Sequence, residues 1–245
     1  MNVLVVYAHP IPGSFTHAVL EEVTRGLDES PHTYKVNDLY ASGFDPVFTG
    51  RDSLQFLHES LPDQVLEALD PRAAVLRAAR GPVRRYLARR FLRGKDEREI
   101  AEALWERRPR DVQEQQALVA EADGLIFVAP VYWMGFPAIL KGWFERVFAY
   151  GFAYTLNSRG WEGDLEGRVP LLSQEKALVI TPTFFTMEEY DKGWRDAVDT
   201  VICDWGLRMA GVKEARHHYL YAAFAASEEK RREYLEEAFR LGKDF

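Results

Sequence analysis

The feature that most constrains the fold of this chain is a set of short apolar runs that do not alternate with polar residues. Residues 3–7, 124–129 and 177–180 are each apolar and rich in β-branched or aromatic side chains. Strands with this pattern are buried on both faces, as the central strands of a parallel sheet are. Residues 34–39 alternate less cleanly and predict a strand nearer an edge, and residues 218–222 predict a last strand.

Helical patterns separate these predicted strands. They cover residues 15–27, 112–121, 136–147, 188–209 and 228–239. Strands that alternate with helices predict right-handed βαβ units and a doubly wound α/β fold with a parallel sheet. Five strands suit the flavodoxin-like order 2-1-3-4-5, in which strand 1 lies between strands 2 and 3. The loops after strands 1 and 3 then form a crevice at the carboxyl edge of the sheet, where such folds bind ligands.

Residues 54–108 do not follow this alternation. Their helical patterns are broken by proline and glycine, so we interpret them as a helical insertion between strands 2 and 3 of a single domain that spans residues 1–245. The insertion is also basic, because residues 71–110 hold 13 Lys or Arg against 5 Asp or Glu in a chain whose net charge is −7. Such a segment could contact a membrane surface, nucleic acid or a phosphate. We favour a solvated face or packing on the protein's own acidic surface; no nucleic-acid partner is expected, and membrane contact is kept as an alternative.

The cysteine content indicates a reducing compartment. At 245 residues the chain is long enough to bury a large core, and its one cysteine, Cys203, cannot form an internal disulfide. The first residues run directly into a strand pattern and carry no signal-peptide signature. The longest apolar stretch, residues 124–140, is interrupted by proline and glycine and is short for a membrane-spanning helix. We therefore expect a cytoplasmic protein.

The loop after strand 1 has the residues of a phosphate site. Ser14 is placed to cap the following helix, and the free N–H groups of the first turn, with the hydroxyls of Ser14 and Thr16, would surround a phosphate. His9 at the strand tip could add a donor. The alternative is a capped helix and nothing more. The chain lacks the GxGxxG and GxxxxGKS/T motifs, which argues against a Rossmann dinucleotide site and a P-loop kinase.

The loop after strand 3 is unusually apolar for an exposed connection. Tyr132, Trp133, Met134 and Phe136 together favour a flat, largely apolar ligand. Taken alone, these side chains could instead cover the insertion or a dimer partner. Beside a phosphate-type loop at the neighbouring strand tip, they favour a flavin.

Several motifs of the chain closely resemble those of the NAD(P)H:quinone oxidoreductases of the flavodoxin-like fold. The resemblance covers most of the chain except much of residues 54–108, and the run from residue 140 to residue 148 is highly specific. The motifs are Ala8-His9-Pro10 with Ser14-Phe15-Thr16, Asp38-Leu39-Tyr40 with Phe44-Asp45-Pro46, Pro130-Val131-Tyr132-Trp133, and residues 137–148 with Phe152-Ala153-Tyr154.

The resemblance implies a homodimer with a non-covalent flavin at the subunit interface and NAD(P)H as co-substrate. The closer similarity, around residues 141–154, is to FAD-using members, so FAD is expected and FMN is the alternative. The resemblance implies that the phosphate and ribityl region contacts His9, Ser14, Phe15 and Thr16. It implies that the flavin ring contacts Pro130, Val131, Tyr132, Trp133 and Met134, with Thr181, Pro182, Thr183 and Phe184 along its other edge.

The chain departs from the family pattern at two places. The best-known members carry a Thr-Thr-Gly-Gly loop where this chain has residues 181–184, so Phe184 would fill space that glycine leaves open and, with Trp133, would shape the substrate pocket. Of the family's Tyr and His pair, proposed to steady charge on the reduced flavin, only a tyrosine is found. That residue, Tyr190, is the candidate catalytic group, and an ordinary packing role is the alternative.

Two further pairs of polar residues are weighed against simpler roles. Glu145 and Arg146 suggest interface or flavin-edge contacts rather than catalytic acids. His217 and His218 are adjacent in a predicted strand and would point to opposite faces, so they cannot share one metal ion, and no metal site is expected.

The leading hypothesis is a two-electron ping-pong enzyme: NAD(P)H delivers hydride to the flavin, leaves, and is replaced at the same site by a quinone. The alternative from another class is a flavin-binding electron carrier, or a regulatory subunit that docks on a membrane transporter through the basic helices. A third hypothesis keeps the enzyme and changes the acceptor to an azo or nitro compound, because the fold alone does not choose among acceptors.

Overall fold

The computed structural model describes residues 1–245 and places one five-stranded parallel sheet at its centre. The strands of this sheet are β1 (Asn2–Tyr7), β2 (Thr33–Asp38), β3 (Gly124–Val128), β6 (Lys176–Pro182) and β7 (Glu214–Leu220). Their order is β2-β1-β3-β6-β7, all parallel, which confirms the predicted 2-1-3-4-5 arrangement and the flavodoxin-like fold. A separate antiparallel pair, β4 (Tyr154–Leu156) with β5 (Arg168–Pro170), was not predicted.

Helices cover both faces of the sheet, and others form the insertion. The α-helices are α1 (Phe15–Asp28), α2 (Asp63–Leu69), α3 (Pro71–Ala78), α4 (Pro82–Leu92), α5 (Glu97–Trp105), α6 (Arg110–Ala120), α7 (Ala138–Val147), α8 (Ser158–Trp161), α9 (Met187–Tyr190), α10 (Trp194–Asp199) and α11 (Glu228–Lys243). Short 3-10 helices span Asp52–Phe56, Leu165–Gly167 and Arg208–Ala210, and a π-helical segment spans Thr200–Leu207. No helix is long and apolar enough to cross a membrane.

The central strands are apolar because both of their faces are covered. In β1, Leu4 and Val6 face one core cluster, which is completed by α6, α7 and the π-helical segment. Val3 and Val5 face the opposite cluster, which α1 and α11 cover. Each fully buried aliphatic side chain of this kind contributes about 1.5–3 kcal/mol. Strand β3 is buried along its entire length, as the absence of alternation in its sequence indicates.

Helices α1 and α11, which cover the same face of the sheet, contact each other at a pair of glycines. A Cβ atom on Gly26 would lie 2.1 Å from the carbonyl oxygen of Phe239, and one on Gly242 would lie 2.1 Å from that of Val23. Neither position can therefore carry a larger side chain without separating α1 from α11. This close contact fixes the C-terminal end of α1 against that of α11.

Two predicted elements differ from the structure. The last strand begins at Glu214, four residues before the predicted start at residue 218, because Ala215 pairs with Ala177 and fills the core while charged neighbours point outward. The single helix predicted over residues 188–209 is broken after α9. Gly193 there adopts a left-handed conformation with φ 105°, and the chain beyond α10 continues as a π-helical segment.

The insertion is joined to the body by a buried ion pair. Arg146 of α7, only 5% exposed, donates from Nε to Asp52 (2.7 Å), which is fully buried in the 3-10 helix that leads into the insertion. It also donates to Asp111 of α6 (2.6 Å) and to the carbonyl oxygen of Asp45 (2.6 Å). The expectation that Arg146 contacts a dimer interface or a flavin edge is therefore wrong, because its guanidinium is buried and makes its hydrogen bonds inside the protein. Glu145, by contrast, lies on the surface and pairs with Lys141.

We expect Asp52→Ala to lower the free energy of unfolding by about 3 kcal/mol or more, because it leaves a buried guanidinium without one of its partners. The control is Asp63→Ala, which removes an exposed partner of Arg98 and should cost less than about 1 kcal/mol. Chemical denaturation measures both values. Equal losses in the two variants would contradict a special role for the buried pair.

The same pair should be sensitive to acid. Burial alone would raise the pKa of Asp52, but hydrogen bonds from Thr49 and Arg146 outweigh it and hold the pKa below its ordinary value. The stabilisation is thus present above the unfolded pKa of about 3.9 and is lost as the pH falls further. The stability difference between the native chain and Asp52→Ala should shrink below about pH 4.

Candidate functional site

A cavity of about 390 Å³ opens at the carboxyl edge of the sheet, where β1, β3, β6 and β7 end. Each of these four strands contributes its following loop or the helix after it. The residues that line the cavity are His9, Ser14, Phe15, Thr16, Pro130, Val131, Tyr132, Pro182, Thr183, Phe184, Ala223, Phe224 and Arg231. The structure thus brings together ten of the predicted site residues and adds three that were not predicted.

The first turn of α1 offers unused hydrogen-bond donors to this cavity. The Ser14 hydroxyl accepts from the backbone N–H of His17 (3.2 Å), which confirms it as the helix cap. The N–H groups of Phe15 and Thr16 and the Thr16 hydroxyl make no hydrogen bond within the chain. Free donors at a helix N-terminus favour an anion. His9 is held by the loop, because its Nδ1 accepts from the N–H of Ile11 (3.1 Å).

The charge of the cavity also favours an anionic ligand. None of its lining residues is acidic, and Arg231 of α11 is its one guanidinium. Arg231 donates to the carbonyl oxygen of Phe224 (2.9 Å), and its Cζ lies 5.9 Å from the centre of the Phe15 ring. The residues present therefore fit a phosphorylated group with an aromatic part, as the predicted flavin has.

The loop after β3 contains a strained turn. Tyr132 and Gly135 exchange backbone hydrogen bonds of 2.9 and 3.2 Å, and the two residues between them have φ of 41° (Trp133) and 70° (Met134). A two-residue turn with both φ values positive normally carries asparagine or glycine. Each left-handed residue that has a Cβ costs about 1–2 kcal/mol, so this turn is held against a local cost.

The turn sets which aromatic side chains reach the cavity. Tyr132 lies on the wall, with its ring centroid 6.4 Å from that of His9. Trp133 is 96% exposed and Met134 57% exposed, and neither lines the cavity. These two predicted contact residues point into solvent beside the opening.

The loop after β6 is divided between the cavity and the interior. Thr183 and Phe184 line the cavity, and Phe184 stacks on Phe224 with ring centroids 5.5 Å apart. Thr181 is buried instead and its hydroxyl meets Nε2 of His217 (2.7 Å), so this predicted contact residue faces away from the cavity.

A buried polar cluster stands behind this loop. Asp199 binds Nδ1 of His217 (3.0 Å) and the hydroxyl of Tyr219 (2.7 Å). Burial lowers the pKa of His217, although the hydrogen bond and charge of Asp199 oppose the shift. The cluster ties β7 and α10 to the end of β6 and thereby fixes where the loop begins.

Tyr190 lies in the interior beside that cluster. It is 1% exposed, stacks on Trp194 with ring centroids 4.6 Å apart, and also contacts Tyr219 and Tyr221. Burial raises its pKa to about 12. Since Tyr190 does not line the cavity, its placement favours the packing role over the catalytic one.

The residues that sequence reasoning missed follow the last strand. Ala223 and Phe224 come directly after β7, and Arg231 lies in the first turns of α11. The signal was present, because the rule that placed ligands at the ends of strands 1 and 3 applies equally to the end of the last strand. His217 and His218 do face opposite sides as predicted, with His218 directed to Glu237 of α11 (3.1 Å). No group of three or more His, Cys, Asp or Glu residues is arranged to hold a metal ion.

Comparison with known proteins gives consistent results. The family described as flavodoxin-like fold matches residues 1–241. The NAD(P)H dehydrogenase (quinone) 1 of Cavia porcellus is 33% identical over 170 residues, which cover 69% of this chain and 51% of that protein. The ribosyldihydronicotinamide dehydrogenase (quinone) of Homo sapiens is 30% identical over 236 residues, 94% of this chain and 86% of that protein. The matched region is thus about half the length of the first relative.

A solved structure agrees over the whole chain. The NAD(P)H:quinone oxidoreductase from Methanothermobacter marburgensis superposes with a TM-score of 0.69 at 28% identity and covers 100% of this chain and 98% of that one.

We expect Met134→Gly to raise the free energy of unfolding by up to about 1 kcal/mol, because glycine adopts positive φ without the Cβ penalty. Met187→Gly is the matched control, since Met187 is similarly exposed but begins helix α9 with ordinary backbone angles. That control should lose stability instead. Thermal unfolding of both variants checks the result, and a destabilised Met134→Gly would show that the turn carries no strain.

Proposed function

This chain belongs to the flavodoxin-like family of NAD(P)H:quinone oxidoreductases, and we propose that it is a flavin-dependent enzyme that reduces a quinone or a similar aromatic acceptor with NAD(P)H. One observation carries the proposal. The unpaired donors of Phe15 and Thr16 and the aromatic walls at Tyr132 and Phe184 lie in the same cavity. If Ser14 served only to cap its helix, no cavity would be needed beside it. If the aromatic side chains served only to cover the insertion, the unpaired N–H groups beside them would have no use.

The chain's part in the reaction is to bind and orient. A bound flavin supplies reversible two-electron chemistry that no side chain here could supply. Backbone N–H groups of α1 would hold its phosphate, while Pro130, Val131 and Tyr132 would flank the ring on the side of β3 and Pro182 to Phe184 on the side of β6. The apolar walls keep water from the reacting face. No side chain of the cavity is required to move a proton, which agrees with the absence of acidic residues from the lining.

The two substrates would use one site in turn, which is the ping-pong scheme. The cavity is open on one side, and Phe184 with the exposed Trp133 stands at that opening. Flat rings, both nicotinamide and quinone, fit between such side chains. Phe184 narrows the opening relative to a glycine at that position, so the acceptor is proposed to be a slim ring system.

The one cysteine is buried, which is consistent with a cytoplasmic location.

A homodimer is proposed from the aromatic surface around the opening. Trp133 is 96% exposed, Phe224 76% and Phe184 65%, so three large apolar side chains surround one cavity in the single chain. Exposed apolar groups in such a cluster mark an interaction surface. A second copy seated there would cover the cavity and complete the pocket on its open side.

The test of the function is an anaerobic titration of the flavin-loaded protein with NADPH, followed by a quinone. We expect the visible flavin band to bleach with one equivalent of NADPH and to return when one equivalent of quinone is added, because both reactions move two electrons. A panel with an azo dye and a nitroaromatic compound separates the acceptors. A protein that takes up no flavin would overturn the proposal, and stepwise one-electron reduction would favour an electron carrier.

FAD is proposed over FMN because residues 141–154 resemble FAD-using members more closely and because Arg231 offers a second phosphate a cation in the same cavity. We expect Arg231→Ala to weaken FAD binding about tenfold, the loss of one charge-assisted hydrogen bond, and to change FMN binding much less. Arg232→Ala is the matched control, since this neighbour is exposed and does not line the cavity. Fluorescence titration of the apoprotein measures all the affinities. Equal losses for FAD and FMN would assign Arg231 to the single phosphate and contradict the choice of FAD.

A further inference from the structure

The helical insertion carries a strongly basic surface that the proposed reaction does not use. Residues 71–94 contain eight arginines and no aspartate or glutamate. With the chain's net charge of −7, this segment of +8 leaves −15 for the rest. Charge is therefore separated within the molecule, and the basic part is confined to α3, α4 and their flanks.

The arginines of the insertion have two different roles. Arg72 and Arg98 are structural: Arg72 bonds Glu97 (2.7 Å) and two carbonyl oxygens, and Arg98 bonds Asp63 (2.7 Å) and two others. The remaining seven arginines of the segment are exposed, and none lies within 4 Å of a carboxylate or donates a side-chain hydrogen bond. They are Arg77, Arg80, Arg84, Arg85, Arg89, Arg90 and Arg93. Their charge is therefore available to a binding partner outside the chain.

Helix α4 also exposes apolar side chains. Val83, Tyr86 and Leu87 have the i, i+3, i+4 spacing of one helix face and are 69%, 64% and 55% exposed. The opposite face carries Ala88 and Leu92, which are buried against the insertion. An ordinary surface helix hides its apolar face and shows a polar one, whereas α4 is apolar on both sides. The outward face therefore has the composition of a contact surface.

The apolar and basic groups of α4 form one surface. Tyr86, Arg89, Arg90 and Arg93 line a shallow concavity beside the exposed Val83 and Leu87. Guanidinium groups bind phosphate in a bidentate manner, and tyrosine favours the boundary between polar headgroups and hydrocarbon. At about 1.5 Å per residue the helix is roughly 16 Å long, so it can lie along a flat surface and present the whole set at once.

From this arrangement we propose that α4 docks the protein on the surface of an anionic lipid bilayer. The seven unpaired arginines supply attraction to negatively charged headgroups, and Val83, Tyr86 and Leu87 enter the headgroup boundary. Nucleic acid fits less well, because a phosphate backbone offers nothing to the apolar group at the centre of the face. The acidic surface of a second copy of the chain could pair with the arginines. That pairing does not account for the three outward apolar residues. The proposal does not depend on the redox function.

The test is flotation of the 245-residue protein with vesicles. We expect binding to vesicles of phosphatidylcholine mixed with phosphatidylserine, no binding to phosphatidylcholine alone, and release as salt is raised. Arg89→Gln with Arg90→Gln should weaken binding more than tenfold, at about fivefold per charge lost near the surface. The matched control, Arg110→Gln with Arg216→Gln, removes the same charge from exposed positions outside the segment and should change binding by less than threefold.

A second variant separates lipid from other anions. Val83→Ser with Leu87→Ser leaves every charge in place and should also weaken vesicle binding about tenfold, by removing apolar area from the bilayer. Both sites are exposed, so far-UV circular dichroism and the NADPH titration should be unchanged. Several results would overturn the proposal: no vesicle binding, equal binding to neutral vesicles, equal effects of the two arginine pairs, or no effect of the serine variant. Tighter binding to duplex DNA than to vesicles would assign the surface to nucleic acid. If the protein sediments as a larger species that is held together by contacts of α4, the surface would be assigned to a second copy of the chain.

Discussion

The burial of β1, β3 and β6 on both faces is the constraint on which the rest of this structure depends. A strand covered by helices above and below cannot carry polar side chains along its length without unpaired groups. Polar and reactive residues are therefore confined to the places where the strands end. At the carboxyl edge those ends bring the donors of Phe15 and Thr16 together with Tyr132 and Phe184, which are distant in sequence. The cavity follows from the topology, while its chemistry follows from the loops.

The edge is also where the chain departs from its preferred local conformations. Trp133 and Met134 occupy left-handed backbone positions, and Thr181 is turned inward to a buried histidine. Both arrangements need support from elsewhere, the first from the backbone bonds between Tyr132 and Gly135 and the second from Asp199. The loops around the cavity are thus held by bonds within the turn and, at the end of β6, by Asp199, which does not line the cavity. A rigid frame of this kind suits the proposed task of holding flat rings in a fixed orientation.

The sequence predicted the sheet well because its signals were local. The three apolar runs and the weaker pattern over residues 34–39 identified four of the five strands closely, and the Ser14 cap was found from residue type and position. The misses required information from distant residues. Arg146 was assigned to an interface because nothing near it in sequence reveals that Asp52 and Asp111 surround it. The exposure of Trp133 accompanies a positive φ that its side chain disfavours, and Arg231 reaches the cavity from a helix that begins about one hundred residues after β3 in the sequence.

The insertion adds a different kind of property to this fold. One side of the molecule is positive and the remainder negative, so the protein is an electric dipole. Near a negative surface such a dipole experiences a torque at separations comparable to the Debye length, about 8 Å at physiological ionic strength. The molecule would turn before it touches the surface, so that the insertion faces the surface and the acidic body faces away from it. The electric field of the surface would therefore set the orientation of the protein while it diffuses, before any individual contact is made.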